Sequence, residues 1–368
     1  MRVVVVGSGV VGASVAYHVA RQGTETVLVD DDALGQATAA GAGIVCPWSS
    51  KVTDPTWQRL ADDSAAYYPR LIDHLAADGE TETGYRRVGA LRLAAADVDA
   101  LYDQLLARSV GSPQAGELTV VRDAREMFPP LRENTAAVHI SGGARVDGRL
   151  LRDAMRNATA NHGGRLVSGT ATLVRSGAAV TAVDVAGERI DADTVVVATG
   201  AWSQAILAPL GIRPDVTPQR GQIVHVGLSG TDTSAWPAVL PPSSHYLLAF
   251  DGGRVVVGAT RETGSGFDYR VTAAGLHEVL TEALAVAPGL ADGTVLETRI
   301  GFRPASPDIL PLIGRLSDVD GIVIATGMGP SGLTLGPYGG RLAAAVALGR
   351  DPDADLTPYD PVRSIVSR

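Results

Sequence analysis

The first thirty residues constrain the fold more than any other part of the chain. Val3-Val4-Val5-Val6 is apolar without alternation, as a strand buried on both faces of a parallel sheet requires. Gly7-Ser8-Gly9-Val10-Val11-Gly12 follows, fitting G-x-G-x-x-G, and a helical pattern then runs to about Gln22, where Gly23 is a natural stop. Thr26-Val27-Leu28-Val29 is a second buried strand ending at Asp30 and Asp31, which completes a βαβ unit. In such a unit Gly7 permits the tight turn, Gly9 lets a pyrophosphate approach the backbone, and Gly12 lets helix and strand pack closely. Val10 and Val11 open the helix, whose free N–H groups and dipole favour an anion. Asp30 stands 18 residues after Gly12, placed to accept hydrogen bonds from a ribose diol. A carboxylate there repels a 2′-phosphate, which excludes NADP. The motif alone leaves FAD and NAD both open.

The rest of the chain interleaves two kinds of segment. Further buried strands are expected at 194–198 and 322–325, and helices at 55–79, 97–108, 148–161, 273–286 and 336–348. Residues 85–94 alternate like a strand with one wet face. Short strands are expected at 165–167 and 172–174, and longer ones at 222–228, 245–250 and 254–260 between Pro- and Gly-rich turns. The pattern predicts an α/β protein. A Rossmann-like nucleotide-binding domain would be assembled from 1–47, 140–205 and 296–368, with an inserted antiparallel-sheet α+β substrate domain from 48–139 and 206–295. A length of 368 residues suits that pair of domains. The polar tail, 351–368, is expected on the surface.

Composition removes several function classes. The net charge is −9 and no Lys/Arg block stands out, so nucleic acid is not an expected partner. Cys46 is the only cysteine, which excludes an intrachain disulfide or a cysteine metal cluster, and it reads as a small buried filler. Lys51 is the only lysine among 31 basic residues. No segment reaches the ~18 apolar residues of a membrane-spanning helix, and no leader pattern follows Met1, so a cytoplasmic protein is expected. Assembly into a homo-oligomer is left open. His225 and His245 are lone strand histidines, read as structural.

Five stretches together resemble the D-amino-acid oxidase superfamily of FAD enzymes, most closely its glycine oxidase and D-amino-acid dehydrogenase branch. They are Val3 to Asp30; Ala37-Thr38-Ala39-Ala40-Gly41-Ala42-Gly43-Ile44-Val45; Val195 to Ser203; Pro218-Gln219-Arg220-Gly221-Gln222 with Val257-Gly258-Ala259-Thr260; and Gly301-Phe302-Arg303-Pro304 through Pro311-Leu312-Ile313-Gly314 to Gly327-Met328-Gly329-Pro330-Ser331-Gly332. The resemblance implies a glutathione-reductase-like FAD domain and noncovalent FAD in an extended pose. Thr38, Ala39, Gly43, Ile44 and Val45 would line the ribityl chain and ring edge. The Thr172 backbone would meet adenine, and Gly200 and Trp202 would lie near the pyrophosphate and flavin. Gly329, Gly332, Leu333 and Thr334 would meet the pyrimidine end of the ring. Reduction puts negative charge there, which N–H groups at a helix start stabilise.

The resemblance also assigns a substrate site. Arg303 would pair with a substrate carboxylate and Tyr246 would help hold it. Two departures stand out. Pro330 occupies the position of a second arginine in glycine oxidases. Val256 occupies that of the oxygen-activating lysine of sarcosine oxidases, which also attach FAD through a cysteine that this chain lacks. The implied reaction oxidises the Cα–N bond of glycine, a D-amino acid or a related secondary or cyclic amine by hydride transfer to flavin N5. Two other readings are an NAD-dependent dehydrogenase and an FAD-bearing subunit of a larger complex with no activity of its own.

Overall fold

The computed structural model describes residues 1–365. Its nucleus is a six-stranded sheet in the order Leu312–Arg315, Ile322–Thr326, Thr194–Val197, Arg2–Val6, Glu25–Asp30, Arg165–Ser168. All neighbours are parallel except the first pair. Alternation along the valine run decides what each face packs against. Val3 and Val5 join Val11, Val15, Leu335 and Leu342 on the side of helices Val10–Ala20 and Gly332–Ala347. Val4 and Val6 join Leu173, Val180 and Val183 of a small antiparallel sheet on the other side. Both faces are covered, which is why no polar residue interrupts the run.

The second large layer is a nine-stranded sheet. Near one end of it the long strand Thr217–Gly227 pairs with Arg254–Gly258 on one edge and with the outer strand Thr294–Ala305 on the other. The sheet is antiparallel apart from one neighbouring pair, Ala238–Leu240 beside Ala90–Leu93. Thr294–Ala305 had no strand signal of its own, because its first half is exposed and Gly301 and Pro304 read as turn residues. Pro304 faces Pro218 across the ladder, so two residues with no N–H share one position.

Other differences from the sequence reading have local causes. The strand expected at 85–94 splits into Arg86–Arg87 and Ala90–Leu93. Gly89 takes φ +79°, and both Val88 and Gly89 donate to the Gly143 carbonyl instead of a sheet partner. The C-terminal helix begins at Gly332 rather than 336, although Pro337 then falls inside it. Pro337 removes the N–H that would bond the Leu333 carbonyl. The buried Tyr68 hydroxyl donates to that carbonyl in its place. Tyr68→Phe should therefore cost about 1–3 kcal/mol, the penalty of an unsatisfied buried acceptor, measured by urea unfolding. The described part of the tail lies on the surface, as expected, and is anchored at a few points. Tyr359 is buried and its hydroxyl donates to the Thr56 carbonyl at 2.9 Å, while residues 366–368 lie outside the described part. Among the described residues no helix is long and apolar enough to cross a membrane.

Candidate active site

The carboxyl ends of four parallel strands open into one elongated cavity. Gly7, Asp30, Ala198 and Thr326 lie at or just beyond those ends and all line it. This is where open α/β sheets bind ligands. The cavity has a volume of about 840 Å³ and runs from this edge to the face of the nine-stranded sheet, where Gly221, Ile223, Tyr246 and Arg303 line it. That volume lies within the ~300–1,000 Å³ range of ligand and cofactor sites.

At the nucleotide end the glycines act by exclusion. A Cβ on Gly7 would meet the Ala198 carbonyl oxygen at 2.6 Å, and one on Gly12 would fall on the Gly7 carbonyl. Helix Val10–Ala20 starts at Gly9, which offers no side-chain cap, and has no acidic residue in its first turn; its Val10 N–H donates to the Thr38 hydroxyl at 2.9 Å. Gly332–Ala347 starts at Ser331, likewise with no side-chain cap and no acidic residue in its first turn. Both starts line the cavity, so it carries two sets of helix-terminal donors suited to anionic groups. The Ser8 hydroxyl beside the turn is buried without a partner. Asp30 is more engaged than the sequence suggested. One carboxylate oxygen accepts from the Ser8 N–H, and the other accepts from the Asp32 N–H at 2.7 Å and from Gln36 Nε2 at 2.9 Å. Spare lone pairs remain for a diol. A helix start with no acidic residue in its first turn, a glycine cradle and a carboxylate at the second strand end fit a dinucleotide cofactor.

Most of the residues named from sequence meet on this wall: Gly9, Val10, Val11, Asp31, Thr38, Gly43, Ile44, Gly200, Trp202, Gly329, Gly332, Leu333 and Thr334 all line the cavity. Gly12, Ala39, Val45 and Thr172 are not among the lining residues. Gly12 works from behind, as a packing glycine. The Ala39 carbonyl accepts from Arg149 and Arg299, Val45 is buried in the core, and Thr172 sits exposed opposite Asp184. The cavity is instead lined there by Gly169, Thr170 and Ala171, one turn earlier than the position chosen from sequence. The Thr334 hydroxyl is occupied by the Ile44 carbonyl at 2.9 Å, which leaves its backbone to face a ligand.

At the other end two glycines open the large sheet. Gly221 and Gly301 face each other across the ladder. Gly301 admits the short helix Ala37–Ala40, where a Cβ would lie 2.8 Å from the Ala40 Cβ. Gly221 admits the Arg303 guanidinium, which lies 2.5 Å from where a Cβ would stand. Arg303 Nη1 donates to the Thr260 carbonyl at 3.0 Å, and no carboxylate pairs with it among the described residues. Tyr246 stands opposite Gly258, and its hydroxyl lies over that glycine. Burial raises the Tyr246 phenol, while the charges of Arg303 and Arg261 hold part of that rise back. Tyr246 is therefore a neutral O–H donor beside a cationic fork. Burial lowers Arg303 from its ordinary value, but a guanidinium starts so high that it keeps its charge.

The remaining singletons fall into place. Cys46 lines the cavity, yet burial pushes its thiol up to about 11, so it is an unreactive neutral filler. His225 is buried and pushed down to about 4 by burial and then by Arg299; it is a neutral strand residue away from the cavity. His245 does line the cavity, with Glu278 and Glu282 behind it at 3.4 and 3.7 Å. Val256 is buried and does not reach the cavity. Gln36, Lys51, Arg92 and Arg261 also line it and were not singled out as site residues from sequence. Arg261 had a signal: it directly follows the Val257–Thr260 stretch.

Comparison with known proteins decides between the dinucleotides. Residues 2–346 match the family described as FAD dependent oxidoreductase. The chain is 44% identical to an uncharacterized oxidoreductase, YurR, of Bacillus subtilis (strain 168), over 98% of this chain and 99% of that one. It is 33% identical to a glycine oxidase of Pseudomonas aeruginosa, over 98% of each chain. The crystal structure of iminodiacetate oxidase from Chelativorans sp. BNC1 superposes with a TM-score of 0.95 at 47% identity, covering 98% of this chain and 99% of that one. With a glycine cradle, two helix starts and a strand-end aspartate along one cavity, the chain belongs to the FAD-dependent oxidoreductase (DAO) family and is a flavoprotein enzyme.

Proposed function

We propose that the enzyme oxidises the Cα–N bond of an amino acid, or of an amino-acid-like secondary or cyclic amine, to the imine. The observation that carries this is Arg303: a guanidinium seated over Gly221, without a carboxylate partner, on the cavity wall beside Tyr246. A substrate carboxylate would supply the missing partner in a bidentate pair, with the Tyr246 O–H as a further donor. The iminodiacetate and glycine oxidases named above act on molecules of this kind.

In this reading the parallel layer holds the nucleotide and the large sheet holds the substrate. The first N–H groups of the Val10–Ala20 helix take the pyrophosphate, Asp30 takes a ribose, and Gly169–Ala171 border the adenine end. The Gly329–Thr334 turn faces the ring, where its backbone N–H groups stabilise negative charge. FAD, when bound, supplies the acceptor for the hydride, which leaves Cα with the C–H electron pair while the nitrogen lone pair forms the C=N bond. The protein has to align Cα and keep the amine neutral, which needs positioning more than acid–base groups. Among the described residues no carboxylate lines the substrate end to hold a protonated amine.

The cofactor should be noncovalent, since the one cysteine is a buried, neutral thiol. Acid precipitation should release all the FAD, and flavin fluorescence remaining on the peptide would refute this. The proposed reaction is tested by adding amino acids anaerobically to the yellow holoenzyme. Bleaching of the flavin, with a keto acid recovered after one turnover, is expected. No bleaching across glycine, sarcosine, iminodiacetate, proline and D-alanine would overturn the proposal.

A further inference from the structure

The substrate end of the cavity is cationic beyond what one carboxylate needs. Lys51, Arg92, Arg261 and Arg303 all line the cavity, and the only acidic residues on its wall, Asp30 and Asp31, stand at the nucleotide end. Two of these cations are already engaged. Lys51 donates to the Pro242 and Ser243 carbonyls, the latter at 3.1 Å. Arg92 donates to the Leu240 carbonyl at 3.0 Å and to that of Pro241. Between them they clamp the 240–243 loop. Arg303 is assigned to the substrate's α-carboxylate.

Arg261 is left over. It has no hydrogen-bond or ion-pair partner among the described residues, and the acids near it in sequence are turned elsewhere. Glu262 accepts from Arg220 at 2.6 Å and from Gln222 at 2.7 Å. Asp268 is held by Arg220 and Arg270, each at 2.9 Å. The residue before Arg261 is Thr260, whose carbonyl accepts from Arg303, so the two arginines arise from one wall. Their mutual repulsion is felt: the Arg261 charge works to lower both Arg303 and Lys51. FAD phosphates would not relieve it, because the helix starts that suit them lie at the nucleotide end. An unpaired cation on a wall that carries further cations is stabilised when an anion arrives.

We infer that Arg261 binds a second carboxylate, and that the substrate class is a dicarboxylic amine, an amino acid or secondary amine carrying a carboxylate at each end. This rests on the proposed reading of Arg303 and extends it. Arg261 is exposed to solvent on the cavity wall, so the selectivity it confers is modest and weakens with salt.

The experiment has two arms on the oxidised and reduced holoenzyme. In the first, malonate, succinate and glutarate are titrated against acetate and propionate while the flavin absorption band is followed. In the second, anaerobic flavin reduction by iminodiacetate is compared with that by sarcosine. Wild type should favour at least one dicarboxylate, and iminodiacetate over sarcosine, by about tenfold or more at low salt. Arg261→Ala should bring both ratios close to one. Arg261→Lys should restore part of the preference, and Arg261→Glu should reverse it. A wild-type ratio near one, or Arg261 variants that change the two substrates equally, overturns the inference while leaving the Arg303 reading intact. Failure of both substrates to reduce the wild-type flavin, with dicarboxylates still bound selectively, would count against the reaction and not against Arg261.

Discussion

Arg303→Ala should lower kcat/KM for an amino acid by roughly 150- to 5,000-fold, the ~3–5 kcal/mol lost when one member of a desolvated ion pair is removed. The guanidinium has no carboxylate partner among the described residues, so the substrate's carboxylate is the charge left unpaired by the change. The loss should appear mainly in the substrate concentration needed for half-maximal flavin reduction, because the anchor acts in the bound ground state as well as later. Arg303→Lys should recover only part, since a point charge cannot reproduce the fork that fits over Gly221. FAD content should be unaffected, because nothing places Arg303 against the nucleotide. If the matched amine without a carboxylate loses as much as the amino acid, Arg303 is not the carboxylate anchor.

Asp30→Ala should weaken FAD binding by about 1–3 kcal/mol, or roughly 5- to 150-fold in Kd, measured by titrating apoprotein with FAD and following fluorescence. Two losses combine. The ribose loses an acceptor, and the Ser8 and Asp32 N–H groups and Gln36 lose the carboxylate that holds the glycine turn to the second strand end. Asp30→Asn should lie between, because one of its two atoms still accepts while the other now opposes a donor. An unchanged Kd in Asp30→Ala would remove this residue from the cofactor site.

Legibility followed burial. The Val3–Val6, Thr26–Val29 and Thr194–Ala198 runs were readable because both faces of the parallel sheet are covered, so the strands carry no competing polar pattern. The helix containing Pro337 was read four residues too short because its rescue comes from Tyr68, far away in sequence. Arg303 was recognisable from Gly301–Pro304, yet its strand was not, since half of that strand is exposed and its partner runs through Pro218 and Gly221. Thr172 itself does not line the cavity; the preceding Gly169 and Thr170 and the first residue of its strand, Ala171, do. Arg261 escaped notice because its freedom depends on Glu262 being drawn off by Arg220 and Gln222, and no local pattern reports that.

The central claim is that a carboxylate-bearing amine is oxidised while its charge is held by the large sheet. The most direct measurement is anaerobic stopped-flow reduction of the wild-type flavin by sarcosine and iminodiacetate against dimethylamine, at equal concentrations. Reduction by a carboxylate-bearing amine at least a hundredfold faster than by dimethylamine is the result expected, in line with the ~3 kcal/mol or more assigned to the Arg303 pair. Equal rates, or faster reduction by dimethylamine, would contradict it.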